Sequence, residues 1–342
     1  MKAVVHDQHG PAESVLRLVD REITEPAAGE VRVRVVVSGV NPTDWKARTG
    51  MYGGGPTDES VPNQDGAGVV DAIGPEVEGV TVGDRVWLSL AAYERPGSGT
   101  AQEYTVVPVN RVFPLPEDAD FDLGASIGIP AITAYRALTV AEDGPDRLAP
   151  GALEGKVVLV AGGAGAVGHA AIQLARWAGA TVIATVSSEA KAAYPTAAGA
   201  QYVVNYRDAD AAEQIRSQAP DGVDIIVEVA AGANNALDLA VLRTRGTIAI
   251  YANNGDQPFE VDIRANMGLN SRYQFVLLYS MGWHLIEAAA EDINAAIAAG
   301  ALPVGEAAGL PLHHFSLDQT ADAHQAVESG TTGKVLITVS EA

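Results

Sequence analysis

Gly163, Gly165 and Gly168 stand in the spacing G-x-G-x-x-G, directly after the apolar run Val157–Ala161 and at the head of the Ala-rich stretch Val167–Ala178. Glycines so spaced let a strand turn sharply into a helix, let backbone approach a pyrophosphate, and let the helix pack closely on its strand. A helix N-terminus then offers unpaired N–H groups and a positive dipole end to phosphate oxygens. Gly163, Ala164, Gly165, Ala166 and Val167 are therefore candidate dinucleotide ligands. By themselves the glycines also fit a tight turn with no ligand. The strand before them, the helical face of Val167, Ala171, Leu174, Ala175 and Ala178, and the strand–helix units downstream favour a nucleotide.

The end of the next strand bears on which nucleotide. An acidic residue there accepts the ribose 2′-hydroxyl of NAD and repels a 2′-phosphate. This chain reads Ile183-Ala184-Thr185-Val186-Ser187-Ser188-Glu189-Ala190-Lys191, a neutral, hydroxylic strand end with an ammonium three residues after Ser188. Ser187, Ser188 and Lys191 suit a phosphate monoester, so NADPH is the expected cofactor. The other reading makes Ser188 a helix cap and Lys191 a solvated surface residue.

Composition narrows the classes. The chain has 342 residues, 47% of them hydrophobic and 19% charged, enough apolar content for two domains with a large core. It has no cysteine, which excludes disulfides, a thiolate nucleophile and cysteine-ligated zinc. The formal charge of −21 comes from 43 acidic against 22 basic residues, with lysine only at Lys2, Lys46, Lys156, Lys191 and Lys334. Such a field repels nucleic acid and anionic lipid. No apolar run approaches the roughly 20 residues of a membrane span, and no signal peptide is visible, so a cytoplasmic protein is expected.

The elements that must position these residues fall into two patterns. The first 125 residues read as short strands, for example Val31–Val35, Gly66–Gly74 and Gly83–Leu88, punctuated by glycine turns, which favours a barrel-like β domain. From about residue 130, apolar runs at 156–161, 181–186, 202–205, 224–229, 247–251 and 273–279 alternate with helical stretches. That implies an α/β, Rossmann-like, doubly wound six-stranded parallel sheet. The expected division is residues 131–282 for dinucleotide binding, and 1–130 with 283–342 for a discontinuous substrate and catalytic domain.

Several segments together carry a family resemblance. Gly39-Val40-Asn41-Pro42-Thr43-Asp44, Gly66–Val70, Val82-Gly83-Asp84-Arg85-Val86, Thr133-Ala134-Tyr135, Ala161–Ala175 and Thr332-Gly333-Lys334-Val335 resemble the medium-chain dehydrogenases/reductases, and most of all the zinc-independent, zeta-crystallin-like quinone oxidoreductases. The resemblance spans nearly the whole chain and implies a GroES-like β domain. In the zinc-dependent relatives the catalytic metal ligands fall at positions occupied here by Asn41, Gln64 and Ile129. These supply no such ligand set, so no metal is expected.

The resemblance implies NADPH-dependent hydride transfer to quinones, or to α,β-unsaturated ketones and aldehydes, whose conjugation spreads the incoming charge without a Lewis acid. It places Asn41 and Tyr52 at the catalytic end of the cofactor, where a turn residue and a packed aromatic are the alternatives. Thr133 is implied near the nicotinamide, opening a helix. Ser187, Lys191 and Tyr206 are implied around the 2′-phosphate, Tyr251 and Asn253 beside the cofactor, and Phe275 and Leu277 as backbone for the carboxamide. Lys46 replaces an aromatic residue common in the family. Relatives imply a homodimer. A non-catalytic NADPH-binding protein is the competing function of another class.

Overall fold

The alternation Val31-Arg32-Val33-Arg34-Val35 becomes one face of the strand Glu30–Val40, with all three valines fully buried. This strand is the hub of a seven-stranded sheet in our computed structural model, which describes residues 1–52, 59–255 and 258–341. Along one edge its first half pairs with Tyr104–Pro108 and its second half with Lys334–Thr338, both antiparallel. Asp65–Ile73 runs along its other edge. The register Val335↔Val40 brings the end of the chain beside Asn41. Valines 31, 33, 70, 86 and 107 with Leu88 form the apolar filling on this hub.

The chain divides into two units, Met1–Ile129 with Pro311–Ala342, and Pro130–Leu310. The second contains the six parallel strands β1 (Val157–Val160), β2 (Thr181–Val186), β3 (Tyr202–Asn205), β4 (Val223–Glu228), β5 (Leu242–Ile250) and β6 (Arg272–Phe275). Their order is β3-β2-β1-β4-β5-β6. This is the doubly wound dinucleotide-binding order, which reverses direction between β1 and β4 and opens a crevice at their carboxyl ends. Every residue of β4 is buried, as a central parallel strand covered on both faces requires.

Three expectations need correction. Residues 283–310 join the dinucleotide-binding unit. The helix Trp283–Ala298 buries Ile286, Ala289, Ala290, Ile293 and Ala296. Its Asp292 accepts hydrogen bonds from Tyr135 Oη (2.8 Å), Arg147 Nε (2.8 Å) and Leu148 N (3.0 Å). The Pro303 carbonyl accepts from His169 Nε2 (3.0 Å) and Gln173 Nε2 (2.9 Å). An amphipathic helix advertises an apolar face but not what covers it, so the sequence could not choose between the units.

Thr133 does not open a helix. It lies buried inside the helix Phe121–Leu138, which passes through Pro130. Proline removes one N–H from the ladder without ending this helix. The last sheet strand is also shorter than its apolar run: β6 stops at Phe275, and Leu278–Ser280 form a 3₁₀ turn.

Candidate active site

The turn after β1 is built around bare backbone. The positive φ (+69°) falls on Gly162 rather than Gly163. A Cβ on Gly163 would meet the Cβ of Ala184 at 2.9 Å, and one on Gly168 would meet the Gly162 carbonyl oxygen at 2.5 Å. The tight turn is therefore made one residue earlier than the motif suggests, while Gly168 serves close packing of helix on turn. The helix Ala166–Trp177 starts with Gly165 as N-cap, and no side chain caps it. Its first intrahelical donor is His169, to Gly165 O at 2.8 Å, so the N–H groups of Ala166, Val167 and Gly168 have no partner within the helix. These are the features a pyrophosphate site requires.

Beside this turn, β2 and β3 end together. Asn205 pairs with Val186, and the Tyr206 N–H donates to the Val186 carbonyl at 3.1 Å, so Ser187 and Tyr206 leave the sheet side by side. Ser188 makes no capping bond with its side chain, and Lys191 follows at the end of a 3₁₀ turn whose N–H donates to the Ser188 carbonyl (3.1 Å). The sequence reading missed Arg207, whose guanidinium carbon stands 5.7 Å from the Tyr206 ring centroid. The strand end thus gathers hydroxyls, a phenol and cations, with no carboxylate at Ser187 or Ser188.

At the ends of β5 and β6, Tyr251, Asn253, Phe275 and Leu277 line one pocket of about 270 Å³, together with Ile250 and Phe259. Below it lies a second feature missed in the sequence. Glu228, at the end of β4, accepts from Ala230 N and Asn234 Nδ2, while its Oε2 and Asp238 Oδ2 have no donor among the described residues. Both side chains are buried, which pushes both carboxyls upward, and the Glu228 charge adds to the rise at Asp238. Burial and the neighbouring Glu228 charge also raise the Tyr251 phenol.

In the first unit, Asn41 begins the helix Pro42–Arg48, and its side chain is buried at 3% exposure. Its Oδ1 accepts from Lys334 Nζ at 2.8 Å, and its Nδ2 donates to Asp65 Oδ2 at 2.7 Å. Lys334 Nζ is also 3.5 Å from Asp65, whose Oδ1 accepts from Ile129 N at 2.8 Å. Asp44 Oδ2 accepts from Asn41 N at 2.7 Å. Burial raises Asp44 to about 7, with the Asp65 charge adding to the rise and Lys334 opposing it. Burial likewise pushes Asp65 up and Lys334 down, each restrained by the other's charge. Tyr52, by contrast, is 63% exposed. Thr133 belongs to the other unit.

Residues 166–295 match the family model described as zinc-binding dehydrogenase, and residues 27–117 the alcohol dehydrogenase GroES-like domain. The human quinone oxidoreductase is 32% identical over 340 residues, covering 98% of this chain and 97% of that protein. The chain belongs to the zeta-crystallin-like quinone oxidoreductases of the medium-chain dehydrogenase/reductase superfamily. It is an oxidoreductase. A 2-haloacrylate reductase from Burkholderia is 29% identical over 334 residues (95% of this chain, 94% of that one). A mycobacterial protein solved with NADPH superposes with a TM-score of 0.81 at 27% identity, covering 99% of this chain and all of the other.

For this quinone oxidoreductase homologue the zinc named by one family description does not fit. Asn41 spends its oxygen on an ammonium, Gln64 Oε1 accepts from Ala92 N (3.1 Å), and Ile129 offers no side-chain ligand. The Lys334 charge would repel a dication beside Asp65. Among the described residues no group of three or more His, Asp and Glu is arranged to hold a metal, and no helix is long and apolar enough to cross a membrane. Several histidines are occupied structurally: His169 as above, His313 Nε2 to Thr332 O (2.9 Å), and His324 Nε2 to Asn63 Oδ1 (2.9 Å). Lys46, in place of the family's aromatic, sits 5.7 Å from the Trp45 ring centroid.

Proposed function

We propose that this chain is an NADPH-dependent, metal-independent reductase that passes a hydride to quinones, acting as a cytoplasmic homodimer. The observation that carries the reading is the strand-end cluster of Ser187, Ser188, Lys191, Tyr206 and Arg207. It offers donors and positive charge where an NAD site would offer a carboxylate. The mycobacterial relative solved with NADPH supports the cofactor, and the human relative's name supports the acceptor.

In this reading Gly163 to Val167 hold the pyrophosphate, and Tyr251, Asn253, Phe275 and Leu277 form the wall for the nicotinamide. Bound there, the dihydronicotinamide supplies the hydride. Thr133 in the second unit, and Asn41 and Tyr52 in the first, are the hydrogen-bond donors assigned to the reaction in this proposal. The side chains orient the acceptor and exclude water while its own conjugation takes up charge. No protein acid is required, since a hydroquinone anion takes its proton from water. The dimer is supported by the outer edge of β6, which has no strand partner among the described residues, and by the exposed Phe275 (65%) and Leu277 (60%).

The Burkholderia relative, named for reduction of an activated alkene, favours a second reading in which the acceptor is an enone or a related C=C compound. Following NADPH oxidation with 1,4-benzoquinone, 9,10-phenanthrenequinone and an enone separates the two. The first reading expects the highest kcat/KM with a quinone. Turnover with the enone alone would replace it with the second, and cofactor binding without any turnover would make the protein a non-catalytic binder.

A further inference from the structure

Glu228 and Asp238 are two buried acids of the second unit to which the proposed reaction gives no task. Neither is more than 2% exposed, and neither has an ion-pair partner among the described residues. Asn234 and Asp238 stand four residues apart on the helix Ala231–Val241, so they share the face turned to the end of β4. Asn234 Nδ2 donates to Glu228 Oε1 at 3.0 Å, Ala230 N donates to the same oxygen, and Asp238 hydrogen-bonds to this carboxyl as well. The oxygens left over, Glu228 Oε2 and Asp238 Oδ2, are buried and meet no donor among the described residues.

Two ionised carboxylates offer only acceptors and repel each other, so a buried hydrogen bond between them requires a proton. The elements packed around the pair bring no cation to replace it among the described residues. The titratable groups that face it are phenols, Tyr251 beyond the end of β5 and Tyr273 on β6. Arg216, on the neighbouring helix Ala211–Gln218, gives its guanidinium to the carbonyls of Ala240 and Leu242. Asp224 and Arg243, toward the opposite ends of β4 and β5, pair with each other at 2.6 Å. The donors from Ala230 and Asn234 favour the charged form of Glu228, which leaves the proton with Asp238, itself pushed well up by burial and by that charge.

What Glu228 holds is the turn after β4. Its backbone carbonyl accepts from Tyr251 N (3.1 Å), and the Val229 carbonyl accepts from Asn254 N (2.9 Å). Ala230 bridges to Asn253, and Gly232 N donates to Asn253 Oδ1 (3.2 Å). Ala231, Tyr251 and Asn253 then line one pocket. We propose that Asp238 is a positioning residue: protonated, it donates to Glu228, and that bond fixes the two turns, 229–232 and 251–254, that present Tyr251 and Asn253 to the cofactor. This rests on the proposed reading in which those two residues border the nicotinamide nucleotide. Without the proton the two charges part, Glu228 releases Ala230 N, and the bridge from Ala230 to Asn253 loses its anchor. Asp238 acts through Glu228, not by contact with the reacting atoms.

Two measurements test the proposal. The infrared spectrum of the wild-type protein at pH 8 should contain the carbonyl stretch of a protonated carboxylic acid, shifted in D₂O and missing in Asp238→Asn. Its presence in both proteins, or in neither, overturns the proposal. The second measurement is NADPH affinity by fluorescence titration at pH 7. Asp238→Leu keeps the volume but removes the donor, and it should weaken binding at least tenfold. Asp238→Asn replaces the proton with an amide donor and should bring the affinity back to within threefold of wild type. A folded Leu variant with wild-type affinity, or an Asn variant as weak as the Leu one, overturns the proposal. Should the Leu variant not fold, wild type and Asp238→Asn are compared from pH 7 to 9.5. Wild type alone carries a proton to lose, so its affinity should fall at least threefold further, and parallel curves overturn the proposal. If wild-type protein does not bind NADPH at all, the underlying reading falls instead, and the infrared band still reports whether the proton is there.

Discussion

Asn205 stands opposite Val186 in the parallel pairing of β3 with β2, and one residue further on the Tyr206 N–H donates to the Val186 carbonyl at 3.1 Å. This pairing sets Tyr206 and Arg207 beside Ser187, Ser188 and Lys191, although the two groups are separated in sequence by the connection between the strands. In a chain of net charge −21, Lys191 and Arg207 bring two cations to the segments that follow these strands, where Glu189 and Asp208 also stand.

Lys191→Ala and Arg207→Ala should each weaken NADPH binding by about tenfold, since a charge-assisted bond to phosphate contributes roughly 1.5–3 kcal/mol and partial exposure reduces it. NADH binding should change by less than about twofold, because it lacks the 2′-phosphate. Fluorescence titration with the two nucleotides checks this. Equal loss for both would remove the assignment of a 2′-phosphate to this cluster.

Gly168→Ala should destabilise the second unit and abolish nucleotide binding together. The added Cβ would sit 2.5 Å from the Gly162 carbonyl oxygen, a backbone atom that cannot move without opening the turn. Thermal unfolding with and without NADPH tests this. An unchanged Tm with intact ligand stabilisation would contradict the packing role given to this glycine.

Asp292→Ala removes the acceptor shared by Tyr135, Arg147 and Leu148 and leaves donors unsatisfied in a largely buried place. The expected cost is about 3 kcal/mol. Desolvation pushes this carboxyl up, but its bonds to Arg147, Tyr135 and Leu148 N outweigh that and hold it below its usual range. Its contribution is therefore present at neutral pH and lost as pH falls through that depressed pKa. Denaturant titration of the variant at pH 7 and pH 3 should show a smaller difference from wild type at the lower pH.

Stability should also fall as pH rises from about 4 toward 7. Asp44 is raised by burial to about 7 from 3.8, so its folded-state contribution is complete below about 4 and lost as pH rises through 7. On the acid side, burial lowers His169 to about 4 and His324 to about 3. Their contributions are complete above 6.5 and lost as pH drops through those values. Asp44→Asn keeps the acceptor for Asn41 N and should flatten the fall in Tm between pH 5 and 7. A slope identical to wild type would show that another group governs that limb, the Glu228–Asp238 pair being the next to test by Asp238→Asn.

The sequence disclosed the parts of this molecule whose causes are local. The strands 181–186 and 202–205 were legible from apolar runs, and the turn at Gly163–Gly168 from the backbone demands of a strand-to-helix corner. What it hid depends on long-range pairing. Lys334 reads only as part of a segment shared with the family until the register Val335↔Val40 puts it against Asn41, 293 residues away. Asp238 reads as a polar helix residue until the helix Ala231–Val241 lies over β4 and turns it toward Glu228. Arg207 follows Tyr206 directly and could have been found from the excess of acid elsewhere, which makes any cation beside a candidate phosphate site informative.

The most direct test of the account is the ratio of kcat/KM for NADPH to that for NADH, with 1,4-benzoquinone as acceptor, for the wild-type protein at neutral pH. The account predicts quinone-dependent oxidation with NADPH preferred by at least about tenfold, the equivalent of roughly 1.4 kcal/mol. Equal use of the two nucleotides, or no oxidation that depends on the quinone, would contradict it.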